Sequence, residues 1–306
     1  KTDSALDADK FRKVTDNWRP AITALVEKNL VKHITKPAIL QGRNTDSVQI
    51  QLNKEQQDAV NSIQDRIDHH AVHVVNGITG SGKTEVYIAL CRRILADNKQ
   101  VLILVPEIGL TPQLTQRFLE HLDTTIVILH SGLNNNQRYA AWHAAASGHA
   151  RLIIGTRSCI FTPLPEPGLI IVDEEHDGSY KQQDGFRYNA RDLAILRAKN
   201  NDIPIVLGSA TPSLETLNNI NVQRYQVHYL KQLANNIPLP RRELVNLCSQ
   251  KLNEGLSETL LLRIRQHLDQ QGQILLFIIR RGFAPLLMCH ECGWTTNCQR
   301  CDAHMT

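Results

Sequence analysis

Between residues 52 and 230, short runs of apolar, mostly β-branched residues alternate with longer segments of helical periodicity. The runs are AVHVVN, QVLILVP, TIVILH, RLIIGT, LIIVDEE and IPIVLGS. Strands that are apolar almost throughout are typical of a parallel sheet covered by helices on both faces. The pattern therefore predicts an α/β fold. The polar motifs directly after the runs should meet at the carboxyl ends of the strands, where such sheets bind ligands.

The first run is followed by GITGSGKT, which matches the pattern G-x-x-x-x-G-K-[ST] between a strand and a helix. Gly80 and Gly82 allow the backbone to curve around a phosphate, and the N–H groups at the helix start supply partial positive charge. We expect Lys83 to reach the β- and γ-phosphates and Thr84 to ligate Mg²⁺. The alternative is a chance glycine-rich turn. The predicted ATP-binding residues of this loop are Gly77, Ile78, Thr79, Gly80, Ser81, Gly82, Lys83 and Thr84.

A second nucleotide-site motif, LIIVDEEHDGS, is an apolar strand that ends in acidic residues. Beside a P-loop, Asp173 is expected to hold Mg²⁺ and Glu174 to polarise the water that attacks the γ-phosphate. Alone, the acids could form a solvated turn. Glu175 and His176 either couple hydrolysis to movement or hydrogen-bond a neighbouring loop. Gln56, which precedes the first run, could read the adenine edge through its amide or be an exposed residue at a helix start.

Three further motifs follow other runs: VPEIGLTPQ, IIGTRS and VLGSATPSLET. In order with GSGKT and DEEH, they resemble motifs I, Ia, Ib, II and III of superfamily 2 helicases. In that family motifs Ia and Ib contact the backbone of single-stranded nucleic acid. The resemblance gives this role to Thr156 and Arg157, which suit phosphate contact. Ser209 and Thr211 resemble the motif III hydroxyls that link the ATP state to the lobe interface.

The segment DEEHDGSYKQQDGFRYNARDLA interleaves aromatic and basic side chains after the acids, which suits base stacking and phosphate contact. These side chains are Tyr180, Lys181, Phe186, Arg187, Tyr188 and Arg191. With RRGFAP and CHECGW, the segment closely resembles the PriA family of bacterial replication-restart helicases over residues 52–306. In that family an aromatic-rich loop couples DNA binding to ATP hydrolysis, a role that the resemblance gives to Lys181, Phe186, Arg187 and Tyr188. Phe186 stands where Trp is common, Asn189 where His is common and Ile279 where Asn is expected.

Four cysteines near the end of the sequence have the spacing C-x2-C-x5-C-x2-C: Cys289, Cys292, Cys298 and Cys301. Each C-x2-C pair can supply two thiolates of a tetrahedral zinc site. The five-residue insert is shorter than the ~15–20 residues of a common Cys₄ site. The resemblance implies further pairs downstream and two interleaved zinc ions, so that each pair belongs to a different site. Zinc is then expected in a longer parent protein, and four unpaired thiols are the alternative in this chain.

The remaining segments divide the chain into four predicted parts. Residues 1–45 hold a basic helix within 11–35, either part of a winged-helix region or a plain packing helix, and then the linker TKPAILQGRNTDS. Residues 46–230 form the RecA-like helicase lobe. Residues 231–288 form an irregular connection and the start of a second lobe, with a helix at LSETLLLRIRQHL and a strand at GQILLFIIRRG. Residues 289–306 form a truncated zinc-binding segment.

Composition adds little to this assignment. A formal net charge of +4 permits a nucleic-acid partner but does not argue for one. Seven cysteines without secretory features do not indicate a disulfide framework. No leader and no membrane span is recognisable, so we expect a bacterial cytoplasmic protein. Neither end resembles a natural terminus, and we expect an internal piece of a longer polypeptide.

The resemblance implies an ATP- and Mg²⁺-dependent 3′→5′ DNA helicase that acts at stalled or branched replication forks. The implied partners are single-stranded and forked DNA, other primosome proteins and single-stranded-DNA-binding protein. The arginine finger should come from the distal lobe, so we expect this chain alone to be weakly active or inactive. Two alternatives stay open. One is a primosome assembly protein with a dispensable ATPase, and the other is a related superfamily 2 helicase that acts on other branched DNA or RNA.

Overall fold

The computed structural model describes residues 20, 39–42, 51–106, 111–234, 242–247, 252–253, 255–277, 289 and 294. The chain divides into two compact units, Lys1–Pro238 and Leu239–Thr306. The predicted helix in residues 11–35 lies outside the described residues, except for Pro20, which is helical. The winged-helix assignment and the predicted division of the chain into four parts stay predictions.

In the first unit, the described strands and helices alternate along the chain. In chain order they are β1 (Ile39–Gln41), α1 (Lys54–Gln64), β2 (Val72–Gly77), α2 (Lys83–Ala96), β3 (Gln100–Leu104), α3 (Thr111–His121), β4 (Thr125–Leu129), α4 (Asn135–Ala146), β5 (Leu152–Gly155), β6 (Pro167–Val172), α5 (Ala190–Asn200), β7 (Ile205–Ser209), α6 (Leu214–Asn221) and β8 (Gln226–Leu230). Two short 3₁₀ helices, Arg157–Phe161 and Gly178–Tyr180, follow β5 and β6.

The strands form one eight-stranded sheet in the order β1-β4-β5-β3-β6-β7-β2-β8. Every neighbouring pair is parallel except β1 and β4. The predicted α/β fold with a parallel sheet is confirmed. Each of the six apolar runs contains a strand of this sheet, whereas the edge strands β1 and β8 were not predicted.

Strand β1 lies where the sequence predicts a linker, and that prediction is wrong for residues 39–41. Ile39 pairs with Val127 and Gln41 with Thr125 of β4, in antiparallel register. The half-buried Leu40 packs against the core, so burial of its side chain and satisfaction of its backbone groups outweigh the polar flanks. A Cβ at Gly42 would overlap the Leu122 carbonyl oxygen, so only glycine permits this close approach.

The strands bury alternate side chains on the two faces of the sheet, as period 2 requires. On one face Val75, Ile103 and Ile171 pack against the buried sides of α1, α2 and α3. On the other face Val74, Leu104 and Val172 pack against the alanines of α4 and α5. Since both faces are covered by helices, the carboxyl ends of the strands are the place where polar side chains can gather.

The second unit contains a short antiparallel pair, β9 (Leu252–Asn253) and β10 (Leu256–Ser257), and the helix α7 (Glu258–Asp269). Helix α7 begins after Ser257, whose side chain accepts from the Leu260 N–H, and it confirms the helix predicted at residues 256–268. The strand predicted at residues 272–282 is wrong for residues 272–277, which pair with no strand within the described part of the chain. An apolar run forms a strand only when a neighbour satisfies its backbone groups. Residues 278–282 lie outside the described residues.

Candidate active site

The ends of three adjacent strands bring the nucleotide motifs together. Strands β6, β7 and β2 are neighbours in the sheet, although 32 residues or more separate them along the chain. DEEH follows β6, GSAT spans the end of β7, and the P-loop follows β2. All three strands run parallel, so their carboxyl ends lie at the same edge.

The P-loop bends through two glycines in the left-handed region, Gly80 at φ 83° and Gly82 at φ 80°. Helix α2 starts at Lys83, directly after this bend, with Thr84 in its first turn. The N–H groups of that turn therefore point toward the loop and carry the positive end of the helix dipole. In the same loop Gly77 and Ser81 are buried, Ile78 is partly buried and Thr79 is exposed.

Gln56 lies against this loop and is buried rather than exposed. Its Nε2 donates to the Ser81 carbonyl oxygen at 2.8 Å, and its Oε1 accepts from the Asn53 N–H at 2.8 Å in a capping box at the start of α1. A Cβ at Gly82 would overlap Gln56 Nε2. Gln56 therefore links α1 to the P-loop, and its role in reading adenine stays a prediction.

Lys83 and Glu174, from different motifs, share one location. The Lys83 Nζ lies 3.1 Å from the Gly77 carbonyl oxygen and 3.5 Å from Glu174 Oε1. Glu174 has φ 46°, a left-handed conformation that non-glycine residues rarely adopt and that is often found at functional sites. This conformation turns the second acid of DEEH away from the direction of β6, and its side chain lies beside the lysine.

Asp173 is held by Tyr87 of α2, whose hydroxyl donates to Asp173 Oδ1 at 2.9 Å. Burial raises the pKa of Asp173 above its usual value, the charge of Glu174 raises it further, and the bond from Tyr87 opposes both effects. A Cβ at Gly208 of β7 would overlap the Tyr87 hydroxyl, so the glycine makes room for it. Tyr180, also buried, donates its hydroxyl toward the Asp173 carbonyl oxygen at 2.6 Å.

The residues at this edge fit a phosphate and a Mg²⁺ ion. A cradle of backbone N–H groups with a lysine suits phosphate oxygens. Asp173 and Thr84 offer the oxygen ligands that Mg²⁺ prefers. Two observations agree with that fit: the buried Ser81 Oγ has no hydrogen-bond partner, and Asp173 has a raised pKa that a nearby cation would lower. When bound, Mg²⁺ would neutralise charge on the phosphate oxygens.

His176 connects DEEH to GSAT. Its Nδ1 lies 2.8 Å from Ser209 Oγ and 3.7 Å from Glu174 Oε2. Ser209 Oγ in turn accepts from the Thr211 N–H at 2.9 Å. His176 and Thr211, both predicted to link the nucleotide site to the rest of a helicase, therefore both contact Ser209.

The Glu175 side chain is completely buried. It joins the DEEH segment to the first turn of α5 and to the start of α6. Its Oε2 lies 3.0 Å from Arg191 Nη1 and accepts from the Thr216 hydroxyl at 3.0 Å. Its Oε1 accepts from the Ser213 N–H at 2.7 Å, and Ser213 Oγ also accepts from Arg191 Nη1 at 2.8 Å. We call Glu175, Arg191, Ser213 and Thr216 the Glu175 clamp. Removing one partner of such a buried ion pair typically costs about 3–5 kcal/mol.

The aromatic-rich loop, residues 181–189, is closed at its base and open at its tip. Lys181 forms an isolated antiparallel bridge with Asn189, whose side chain caps α5 by accepting from the Arg191 N–H. Phe186 is 77% exposed, and Lys181 and Arg187 are exposed as well. Tyr188 is partly buried and packs against the core. Phe186, Lys181 and Arg187 are therefore accessible to a ligand.

Two residues near this loop make contacts within the protein that the sequence did not indicate. Tyr180, grouped with the stacking aromatics by sequence, is only 1% exposed and belongs to the support of Asp173. Arg157 uses Nη1 to donate to the carbonyl oxygens of Ser179 at 3.0 Å and Lys181 at 3.1 Å, so it fastens the loop to the 3₁₀ helix that it begins. Thr156 directly precedes that helix, and its N–H donates to the Leu129 carbonyl oxygen at 3.0 Å. The DNA-contact roles of Thr156 and Arg157 stay predictions.

Sequence reasoning missed several residues that orient the acids: Tyr87, Gly208, Ser213 and Thr216. Tyr87 has the same sequence signature as any apolar position of an amphipathic helix, and Gly208 that of any small strand residue. Ser213 had a usable signal, because a serine two residues after GSAT and before a helical pattern is a typical N-cap.

The cysteine prediction lies almost wholly outside the described residues. Cys292, Cys298 and Cys301 are not described. Cys289 is partly buried, and its N–H donates to the Trp294 carbonyl oxygen at 2.7 Å. Within the described ranges, no cluster of three or more His, Cys, Asp or Glu side chains is arranged to hold a metal ion. In the same ranges, no helix has the length and apolar character that crossing a bilayer requires.

Comparison with known proteins assigns the family. Residues 53–220 match the model of the DEAD/DEAH box helicase family, which is more than half of the chain. This chain belongs to the DEAD/DEAH box helicase family. The match spans the P-loop, DEEH and GSAT, the motifs that the ends of three neighbouring strands bring together.

Relatives within this helicase family include replication restart protein PriA from several bacteria. The chain is 50% identical over 235 residues to that of Haemophilus influenzae, covering 77% of this chain and 32% of the relative. It is 34% identical over 310 residues to that of Bacillus subtilis, covering 98% of this chain and 38% of the relative. The resemblance to the PriA family is therefore confirmed. The chain spans about a third of the length of these curated relatives.

This chain is similar to a solved structure of RecG bound to a three-way DNA junction, at 18% identity and a TM-score of 0.46. The similarity covers 77% of this chain and 30% of the RecG chain. A likeness at this level carries no inference about function.

Proposed function

We propose that this chain is the ATP-hydrolysing lobe, with the first part of the second lobe, of a DNA helicase that restarts replication. The convergence of Lys83 with Glu174, 3.5 Å apart at the edge that also holds Asp173, carries the proposal. The similarity to PriA proteins, named for replication restart, supports the biological role.

In the proposed reaction, the P-loop N–H groups and Lys83 bind the β- and γ-phosphates of ATP. Asp173 and Thr84 hold Mg²⁺. Glu174 orients a water molecule and accepts its proton as the water oxygen bonds to the γ-phosphorus. The bond from that phosphorus to the bridging oxygen breaks at the same time, and ADP leaves.

The proposed substrate is branched DNA, with 3′→5′ movement along single strands at a stalled fork. The exposed Phe186, with the exposed Lys181 and Arg187 in the same loop, offers an aromatic face and two cations for bases and phosphates. Other primosome proteins and single-stranded-DNA-binding protein are the proposed partners.

Steady-state phosphate release from ATP by the full-length protein tests this function with no DNA, linear duplex and forked DNA. We expect the highest rate with forks and loss of hydrolysis in Lys83→Ala. Lys99→Ala is the matched control, because the Lys99 side chain forms a solvent-exposed ion pair with Asp68 at 3.7 Å, which contributes little. Equal hydrolysis with and without DNA would refute the helicase role while leaving the nucleotide site in place.

A further inference from the structure

The Glu175 clamp joins the nucleotide site to the aromatic-rich loop. Glu175 follows Glu174 directly, and Arg191 lies two residues beyond Asn189, the last residue of the loop. Ser213 and Thr216 belong to the start of α6, which follows GSAT. No other described carboxylate combines complete burial with contacts to these segments.

The conformation of Glu174 depends on its two neighbours. Asp173 is fixed by Tyr87, and the Glu175 N–H donates to the Gly208 carbonyl oxygen at 3.0 Å. Because peptide units are planar, a shift of Glu175 must be absorbed by the backbone angles of Glu174, which is already in a left-handed conformation. The position of the Glu174 carboxylate is therefore sensitive to the clamp.

The loop is built so that a force at its tip reaches Arg191. The Gln182 N–H donates to the Tyr188 carbonyl oxygen at 2.8 Å, and Lys181 bridges Asn189, which closes the base. Asn189 also caps the first turn of α5, and Arg191 lies in that turn. A ligand stacked on Phe186 at the open tip would act on this closed base and on the helix start.

We propose that Glu175 and Arg191 are positioning residues that transmit binding of single-stranded DNA at the aromatic-rich loop to Glu174. This inference rests on the proposed function, and it adds the physical path by which DNA changes hydrolysis. The ion pair between Glu175 and Arg191 is the single charged link between the DEEH segment and α5 among the described residues.

The test compares Glu175→Gln, Arg191→Gln and the double variant in the full-length protein. Glutamine at 175 keeps an acceptor for the Ser213 N–H, whereas glutamine at 191 is too short to replace the guanidinium. Arg197→Gln is the matched control. Arg197 is on the same helix and donates to the carbonyl oxygens of Ile160 and Thr162, but it contacts neither DEEH nor GSAT.

Three quantities are measured: thermal stability, affinity for a single-stranded oligonucleotide, and the ratio of kcat for ATP with and without that oligonucleotide. Arg191→Gln should lose the most stability, because it leaves the buried Glu175 carboxylate without a cation. Glu175→Gln should lose less, because Arg191 keeps its ion pair with the exposed Asp192 at 2.9 Å. The double variant should be more stable than Arg191→Gln. We expect DNA affinity to stay within about twofold of wild type while the kcat ratio falls to about 1 in all three variants. Arg197→Gln should keep the wild-type ratio.

A purely structural role predicts instead that the kcat ratio recovers with stability in the double variant, and that result would overturn the inference. An equal loss in Arg197→Gln would overturn it as well. If wild-type hydrolysis does not respond to DNA, the proposed function fails and the inference fails with it. If wild type responds and all three variants respond equally, only the inference fails.

Discussion

Gly208→Ala is expected to disrupt the support of Asp173 by steric overlap alone. The added Cβ would overlap the Tyr87 hydroxyl and lie 2.9 Å from Tyr87 Cζ, in a region where Tyr87 is completely buried. The tyrosine must move, and its bond to Asp173 must lengthen or break. Gly208 is not in the left-handed region, so the backbone itself tolerates alanine.

The loss in free energy of unfolding expected for Gly208→Ala follows from three contributions. Overpacking a buried site costs about 1–3 kcal/mol. Losing a hydrogen bond to a charged group costs about 1.5–3 kcal/mol. Alanine returns about 0.4–1 kcal/mol by restricting the unfolded chain. The expected net loss is therefore roughly 2–5 kcal/mol of the free energy of unfolding.

A second substitution sharpens the prediction, because Tyr87→Phe removes the oxygen that the new Cβ would meet. Alone, Tyr87→Phe should cost about 1.5–3 kcal/mol. In its presence, Gly208→Ala should cost only about 1 kcal/mol. The severe overlap with the hydroxyl is gone and the hydrogen bond is already absent, while the 2.9 Å approach to the ring carbon Cζ remains. The two substitutions should thus be coupled by at least about 1 kcal/mol.

Urea-induced unfolding followed by far-UV circular dichroism measures these differences as shifts of the midpoint. Gly178→Ala is the control, since a Cβ there meets no atom within 4 Å and Gly178 is not in the left-handed region. It should be neutral or slightly stabilising. Equal midpoints for Gly208→Ala and Gly178→Ala, or additive effects of Gly208→Ala and Tyr87→Phe, would refute the reasoning.

Three further predictions concern the N-cap of α5, the dependence of stability on acid pH, and the P-loop. Asn189→Ala should lower stability by about 1 kcal/mol, and Asn189→Ser should restore most of it in the same unfolding assay. Burial, then the nearby His228 and Arg66, lower the pKa of His73 from 6.5 to about 4. Between about pH 4 and 6.5 the unfolded chain therefore binds more protons than the folded chain at this histidine. The free energy of unfolding should fall as the pH is lowered from about 6.5 to 4. His73→Phe should flatten this dependence, and an unchanged slope would contradict it. Ser81→Ala should leave the free energy of unfolding unchanged within about 0.5 kcal/mol, because the buried hydroxyl has no hydrogen-bond partner to lose. A loss above about 1 kcal/mol would show that it has one.

Local patterns in the sequence determined six of the eight strands of the sheet, most helices, and the P-loop and DEEH motifs. The six apolar runs were recognisable because a strand buried on both faces must be apolar almost throughout. GITGSGKT was recognisable because a phosphate-binding turn needs glycines and a lysine at fixed spacing. The strand predicted at residues 272–277 and the linker predicted at 39–41 failed for one reason. Strand formation depends on a neighbouring chain, and local sequence does not contain the neighbour.

The tertiary structure alone decided which residues support the acids. The strand order β6-β7-β2 places Tyr87 against both Asp173 and Gly208, which lie 86 and 121 positions after it along the chain. It also buries Glu175 among Arg191, Ser213 and Thr216. A sequence reports the chemistry that each residue carries. Contacts between distant residues arise only when the sheet assembles, because burial and hydrogen bonding are properties of the folded neighbours rather than of the residue itself.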